Sequence, residues 1–222
     1  MISRLPSWVG SVAWLLAFVA GGVNAIGLLG FAHEATSHLT GTTTLLAGAT
    51  VAGDFLRFFH LFAIVASFVG GAVVSGLLIP RDPLQLGQRQ TVVLVLVAVM
   101  LAAAAVGLRN GQAASLYWAA AACGLQNAMT TAYSAAVVRT SHVSGMFTDL
   151  GIALGHALRG ERVEQRRLWV CITVITGFFA GSAVNTALFG RFGYDVLYVD
   201  VAIVVALSVT NARYVAMSRI PT

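Results

Sequence analysis

Two short strings of hydroxyl, histidine and glycine residues hold most of the chemistry open to this chain: Thr36-Ser37-His38-Leu39-Thr40-Gly41 and Thr140-Ser141-His142-Val143-Ser144-Gly145. Thr42, Thr43 and Thr44 extend the first string, and Thr148 extends the second. At the start of a helix, unpaired backbone N–H groups and the positive end of the dipole favour an anion or an oxygen-rich ligand. A glycine there lets the ligand approach the backbone. The simpler reading is that hydroxyls cap helices with no ligand present. His38 and His142 occupy equivalent places in the two strings, either as site residues or as satisfied structural histidines. If the second string opens a helix, His142, Asp149 and His156 share one face at seven-residue intervals. They would then stand about 10 Å apart by helical rise, a spacing for relaying a proton or holding a cation through water. The competing reading pairs Asp149 with an arginine, Arg139 being a candidate, and leaves His156 as a marker of the membrane interface.

Three further polar residues, Asn24, Gln126 and Asn127, sit inside apolar stretches. They either strut neighbouring helices or line a cavity. Asp200, near the start of the last apolar block, and Asp54 with Arg57 are expected at the interface. Enzyme signatures are missing. His33-Glu34-Ala35-Thr36-Ser37-His38 resembles a zinc-protease H-E-x-x-H only in part, because its histidines are five residues apart and leave one helical face. There is no phosphate-binding G-x-x-x-x-G-K-[ST] and no G-x-S-x-G nucleophile elbow. Cys123 and Cys171 show neither C-x-x-C nor metal-ligand spacing and read as small buried hydrophobes. Neither cofactor nor metal is expected.

These residues must be positioned by membrane-embedded helices. Of 222 residues, 58% are hydrophobic and 9% charged, against roughly a quarter charged in soluble domains. Too few charges remain to coat a soluble globule. All thirteen basic residues are arginines, spread between apolar blocks rather than laid out as a stripe, which speaks against nucleic-acid binding despite the net charge of +5. A bilayer core needs about 20 apolar helical residues. Six blocks supply them: Trp8 to Leu29, Phe58 to Ile79, Thr91 to Leu108, Ala113 to Ala135, Leu168 to Phe189 and Val196 to Met217. The first is too long for a signal peptide. Two shorter, more polar blocks, Ser37 to Phe55 and Ser141 to Leu158, open with the hydroxyl strings. If both re-enter without crossing, ten arginines lie on the amino-terminal side and three (Arg57, Arg109, Arg191) opposite; if both cross, the division is nine to four. Either count places both termini in the cytoplasm. Trp8, Trp118, Trp169, Tyr117, Tyr194 and Tyr198 fall near block ends, as an interfacial belt requires.

The chain also repeats itself. Gly21-Gly22-Val23-Asn24-Ala25 returns as Gly124-Leu125-Gln126-Asn127-Ala128, and the hydroxyl strings follow after similar gaps. Phe68-Val69-Gly70-Gly71-Ala72-Val73-Val74 matches Phe178-Phe179-Ala180-Gly181-Ser182-Ala183-Val184. Ser67, Gly71 and Ser75, like Gly177, Gly181 and Asn185, form small-residue stripes where a second backbone can approach closely. One membrane domain, 1–222, is therefore expected to contain repeat one, 8–109, and repeat two, 113–217. With re-entrant short blocks each half has three spans, an odd number, so the halves are inverted, the common architecture of secondary transporters. The Gly-x-x-Asn-Ala turn, the Ser/Thr-Gly strings and Gly-Leu-Gln-Asn-Ala together resemble the YoaK family of bacterial polytopic membrane proteins over nearly the full chain. Asn24, where that family often has Asp, and Thr42 and Thr43, where it often has Asn, depart from the pattern. The resemblance implies a fold and no substrate.

The expectation is an all-α polytopic membrane protein with six full transmembrane helices and two short or re-entrant ones, in the bacterial cytoplasmic membrane. Its expected function is secondary transport or facilitation of a small polar solute or anion near the bilayer midplane. His38, Thr40, Gly41, Thr42, His142, Ser144, Gly145, Asn24, Asn127 and Gln126 would bind the solute, with Asp149 as coupling group. The partners expected are a small-molecule or ion substrate and the lipid bilayer, with a homodimer admitted and no nucleic acid. The alternatives are a non-transporting scaffold or sensor, with the Arg159 to Arg167 loop as partner or anionic-lipid contact, and, behind it, an intramembrane enzyme using Asp149 and a histidine.

Overall fold

Long runs of Ala, Val, Leu and Gly free of ionisable side chains satisfy their backbone polar groups internally, and in lipid only helices and closed barrels do so. The computed structural model describes residues 8–30, 39–80, 87–134 and 138–218, which form eight α-helices and two short 3-10 turns, with no strand among the described residues. The helices are α1 (Trp8–Leu29), α2 (Leu39–Ala52), α3 (Phe55–Leu78), α4 (Gln88–Arg109), α5 (Leu116–Tyr133), α6 (Val143–Leu158), α7 (Gln165–Phe192) and α8 (Leu197–Met217). Four stretches are long and apolar enough to cross a membrane: Trp8–Leu29, Phe55–Leu78, Gln88–Arg109 and Gln165–Met217. The last contains both α7 and α8, divided by a turn at Gly193 with φ +55°. Helix α5, expected as a full span, is less apolar because Gln126, Asn127, Thr130 and Thr131 interrupt it.

Side-chain pairings fix the helix directions. Trp8 meets Tyr133, and Gln126 Nε2 donates to Leu16 O at 2.8 Å, so α1 and α5 are antiparallel. The His60 ring bonds the Tyr117 hydroxyl at 2.8 Å near the starts of α3 and α5, which run parallel. Gly10 abuts Trp169, Gly30 abuts Tyr194, and the Ser182 hydroxyl donates to Gly21 O at 3.0 Å, so α1 and α7 are parallel. Asn211 Nδ2 donates to Thr91 Oγ1 at 2.8 Å while Arg109 pairs with Asp195 at 3.4 Å, which makes α4 and α8 antiparallel. One end of the bundle therefore carries Trp8, Leu78, Gln88, Tyr133, Trp169 and Tyr214. The other carries Gly30, Asp54, Arg109, Tyr117 and Tyr194.

The close approaches occur at two crossings built alike. A methyl on Gly21 would overlap the Phe178 carbonyl, and one on Gly181 the Phe18 carbonyl. In the α3–α5 crossing, Gly124 abuts the Phe68 carbonyl and Gly71 the Ala121 carbonyl. Helix–helix packing in lipid rests on such small residues. The pairs α1–α7 and α3–α5 are matched by α1–α8 and α4–α5, and by α2–α3 and α6–α7, with α4 against α8 and α1 against α5 between them. The main core, including Leu16, Val23, Val97, Leu101, Leu125 and Val204, fills the space among α1, α4, α5 and α8. Leu56, Phe59, Val69, Leu77 and Phe179 point outward.

The two short helices do not traverse the bundle. Helix α2, at 14 residues, is about 21 Å long and α6, at 16 residues, about 24 Å, less than the roughly 30 Å hydrocarbon core. Helix α2 begins beside Phe68, Asn127 and Gly124, the level of the α3–α5 crossing. It ends at Gly53, whose φ of +67° turns the chain directly into α3. There Asp54 caps α3 by accepting the Arg57 N–H at 3.0 Å. Helix α6 begins at the same level and runs toward the opposite end, where it packs on α7.

Candidate functional site

The first turns of α2 and α6 meet at mid-depth and border an open cavity of about 500 Å³ with α3 and α5. Thr40 comes from α2, Ser144 from the first turn of α6, Ser141 and His142 from the residues before it, and Asn127 and Thr131 from α5. Phe68 and Ala72 form its apolar wall, and Arg139 enters from the chain before α6. No carboxylate lines it among the described residues. Two helix starts and an arginine converging, with no acid among the described lining residues, give the space a positive character suited to an anion or a neutral polar solute.

Local structure places each group. The chain leaves α5 through Ser134, whose hydroxyl donates to Thr130 O at 2.7 Å and accepts the Val138 N–H at 2.8 Å. This turns residues 138–142 back toward the bundle centre. The ring of His142 folds over the start of α6, and a methyl on Gly145 would overlap it. Inside α5 the Thr131 hydroxyl donates to Asn127 O at 2.6 Å. Asn127 Oδ1 is buried with no hydrogen-bond partner among the described residues, an acceptor ready for a ligand donor. Thr44 and Thr148, one turn into α2 and α6, donate to Thr40 O and Ser144 O at 3.1 and 3.0 Å. Their hydroxyls serve their own helices.

The structure gathers part of the sequence-nominated set. Thr40, Asn127, His142 and Ser144 share the cavity, whereas Gly41 is exposed on α2 and Thr42 is buried outside the lining. His38 lies outside the described residues. Gln126 is a strut: its side-chain amide binds Leu16 O at 2.8 Å and approaches the Thr140 hydroxyl at 3.4 Å, tying α5 to α1 and to the second string. Asn24 is buried within α1, away from the lining. Asp149 is also absent from the lining and pairs with Arg167 Nη2 at 2.9 Å, joining α6 to α7. The arginine is therefore Arg167, where Arg139 had been the sequence candidate; Arg139 faces the cavity. His156 stands 3.8 Å from Glu161 in the exposed turn after α6. A second cavity, about 320 Å³ and almost wholly apolar, opens between α1, α4, α5 and α8 near Trp8 and Tyr214 and holds none of the nominated residues.

Two residues gain importance from the fold alone. Asp200, expected at an interface, is fully buried with Asn185 where α1, α7 and α8 meet. Its place three residues into α8 suggested exposure, but α1 and α7 close over that turn. The sequence signal was Gly22: a second glycine beside Gly21, where the matching position after Gly124 is Leu125. The sequence offers Arg139 as a partner for Asp149, and only the turn at Ser134 brings it to the cavity.

No curated protein and no solved structure matches the chain. Residues 12–210, from α1 through most of α8, match the family described as "Protein of unknown function (DUF1275)". A match of that extent, on an all-helical chain with several membrane-length apolar stretches and consistent with the resemblance to the YoaK proteins, establishes that the chain belongs to the DUF1275 family.

Proposed function

We propose that this protein is a secondary transporter or facilitator of a small polar solute, with an anion favoured, and that it is built from two inverted halves in the bacterial cytoplasmic membrane. The observation that carries the reading is the mid-depth cavity where both short helices begin, lined by Thr40, Asn127, Arg139, His142 and Ser144, with no carboxylate among the described residues of its lining. Broken or re-entrant helices meeting at the midplane are the usual binding architecture of inverted-repeat transporters. Polar groups at membrane depth are expensive, so their presence there marks a functional pathway by default. The reciprocal packing of α1 on α7 and α3 on α5, with glycines at equivalent positions in both crossings, supports the inverted halves. Helix directions support six crossings and two re-entrant segments. Arg89, Arg159, Arg162, Arg166, Arg167 and Arg213 then lie at the Trp8 end, with Arg57, Arg109 and Arg191 opposite, so the positive-inside rule puts both termini in the cytoplasm. Asp149, held by Arg167, serves the α6–α7 joint in this reading.

The test is uptake by proteoliposomes of chloride, nitrate, sulfate, phosphate and acetate, each supplied separately, together with thiol labelling of Thr40→Cys and Ser144→Cys. A transporter labels at both positions from water, and the transported anion slows labelling. Arg139→Gln should weaken that anion roughly 10- to 100-fold, the worth of one charge-assisted hydrogen bond. Inert cysteines with no uptake would instead support the scaffold or sensor reading.

A further inference from the structure

The two helix crossings differ at one place. In the α3–α5 crossing the residue after Gly124 is Leu125, fully buried, and Ser75 stands four residues after Gly71. In the α1–α7 crossing the corresponding residues are Gly22 and Asn185. The side chain missing at Gly22 leaves a space that is filled from α7 by the Asn185 amide and from α8 by the Asp200 carboxyl, whose Oδ1 would lie 2.8 Å from a methyl placed on Gly22. Asn185 and Asp200 are both completely buried. Asn185 Nδ2 donates to Gly181 O at 3.1 Å. It approaches the carboxyl without completing a hydrogen bond, and Asp200 Oδ1, Asp200 Oδ2 and Asn185 Oδ1 all lack a partner among the described residues.

Among the described residues no positive charge stands beside the carboxyl. Helix α1 contains no ionisable residue, α4 only Arg89 and Arg109 at its ends, and α7 only Arg166, Arg167, Cys171 and Arg191. On α8 itself the others are Tyr198, Arg213 and Tyr214. From α5 the buried Cys123 thiol lies close enough to sense Asp200, and it brings no positive charge. An ionised carboxylate buried with no counter-charge and only the Asn185 amide beside it is unfavourable by several kcal/mol. The close packing does not require it, since Leu125 and Ser75 build the sister crossing without an acid. Three unpartnered oxygens are too few for a hard divalent cation, which takes six or more.

We propose that Asp200, with Asn185 beside it, is a proton-binding site that couples solute movement to proton movement. The carboxylate takes up one proton when the α1–α7–α8 junction opens to water on one side and releases it when the junction opens on the other. No redox change or further reactant is involved. The coupling rests on the transport reading, whereas the proton site does not.

Two measurements separate them. In the first, wild type and Asp200→Asn in lipid nanodiscs are compared by infrared difference spectroscopy during a pH titration in H2O and D2O. A carboxyl band that titrates and exchanges in wild type and is missing from Asp200→Asn is the expected result; identical spectra overturn the proton site. Should Asp200→Asn not fold, wild type labelled with carbon-13 aspartate decides the same point, because Asp200 alone among the described aspartates is buried. In the second, proteoliposomes take up the anion identified above under an imposed pH gradient. Wild type should accumulate it up to about tenfold per pH unit if one proton moves per solute, and Asp200→Asn should lose the gradient response while keeping downhill flux. Wild-type uptake indifferent to the gradient overturns the coupling and leaves transport standing. A titrating band with no uptake of any anion removes the transport reading and leaves Asp200 as a proton site.

Discussion

Gly70 and Gly71 are neighbours in α3 with opposite surroundings. A methyl on Gly70 would meet no heavy atom within 4 Å, whereas one on Gly71 would overlap the Ala121 carbonyl and lie 2.9 Å from Ala121 C and 3.0 Å from Leu125 N. Those neighbours are backbone atoms of α5 and cannot rotate away. Carbon contacts settle at about 3.5–4.0 Å, and the overlap with the Ala121 carbonyl is the tightest of the three, so Gly71→Ala must drive α3 and α5 apart by roughly 1 Å or more at their crossing. Overpacking of that kind is unfavourable by roughly 1–3 kcal/mol. Gly70→Ala has only the helix-propensity term, which favours alanine by up to about 1 kcal/mol. The propensity term is common to both changes, so they differ by the overpacking alone, about 1–3 kcal/mol. Reversible unfolding in mixed micelles, followed by far-UV circular dichroism as SDS is raised, reads the difference directly. Equal shifts for the two variants, or a stabilised Gly71→Ala, would refute the close α3–α5 crossing and with it the position of the cavity wall that Phe68 and Asn127 share.

Gln126→Leu keeps volume but removes the bond to Leu16 O, so it should destabilise by about 1 kcal/mol in the same unfolding assay while leaving solute affinity nearly unchanged. A large loss of affinity with normal stability would show that Gln126 belongs to the site. Asp149→Asn breaks the pair with Arg167, whose side chains are 30% and 54% exposed respectively. Solvent screening limits its effect to less than about 1 kcal/mol, and transport with its pH response should survive, whereas abolished coupling would return Asp149 to a central role. Gln88→Cys and Glu161→Cys should label from the cytoplasmic face and Gln112→Cys from the outer face; an externally labelled Gln88→Cys would mean that the short helices cross.

Much of this protein is legible in its sequence. Apolar blocks define the helices because a segment in lipid must bond its own backbone, and α1 spans Trp8–Leu29, the limits its composition gives. The hydroxyl strings also mark the first turns of α2 and α6, although His142 at the α6 N-cap makes no side-chain capping bond. Legibility fails where burial depends on distant segments. Asp149 lies within an apolar block yet ends beside Arg167 in a half-open joint, while Asp200 lies near a helix start yet ends sealed beneath α1 and α7. Their sequence neighbourhoods point the other way in both cases, because exposure in a bundle is set by which helices cross overhead.

Composition and local pattern alone determined that the chain is helical, apolar enough for a membrane, and internally similar at the glycine and hydroxyl strings. Each of these follows from interactions within a turn or two of backbone. Tertiary structure decided which polar residues meet: that Thr40 and His142, a hundred residues apart, face one cavity, that Gln126 is a strut, and that Asp200 is closed in with Asn185 through the gap left at Gly22. Those outcomes depend on the register at which α1 crosses α7 and α3 crosses α5, and that register is fixed by backbone contact at glycines far apart in the chain.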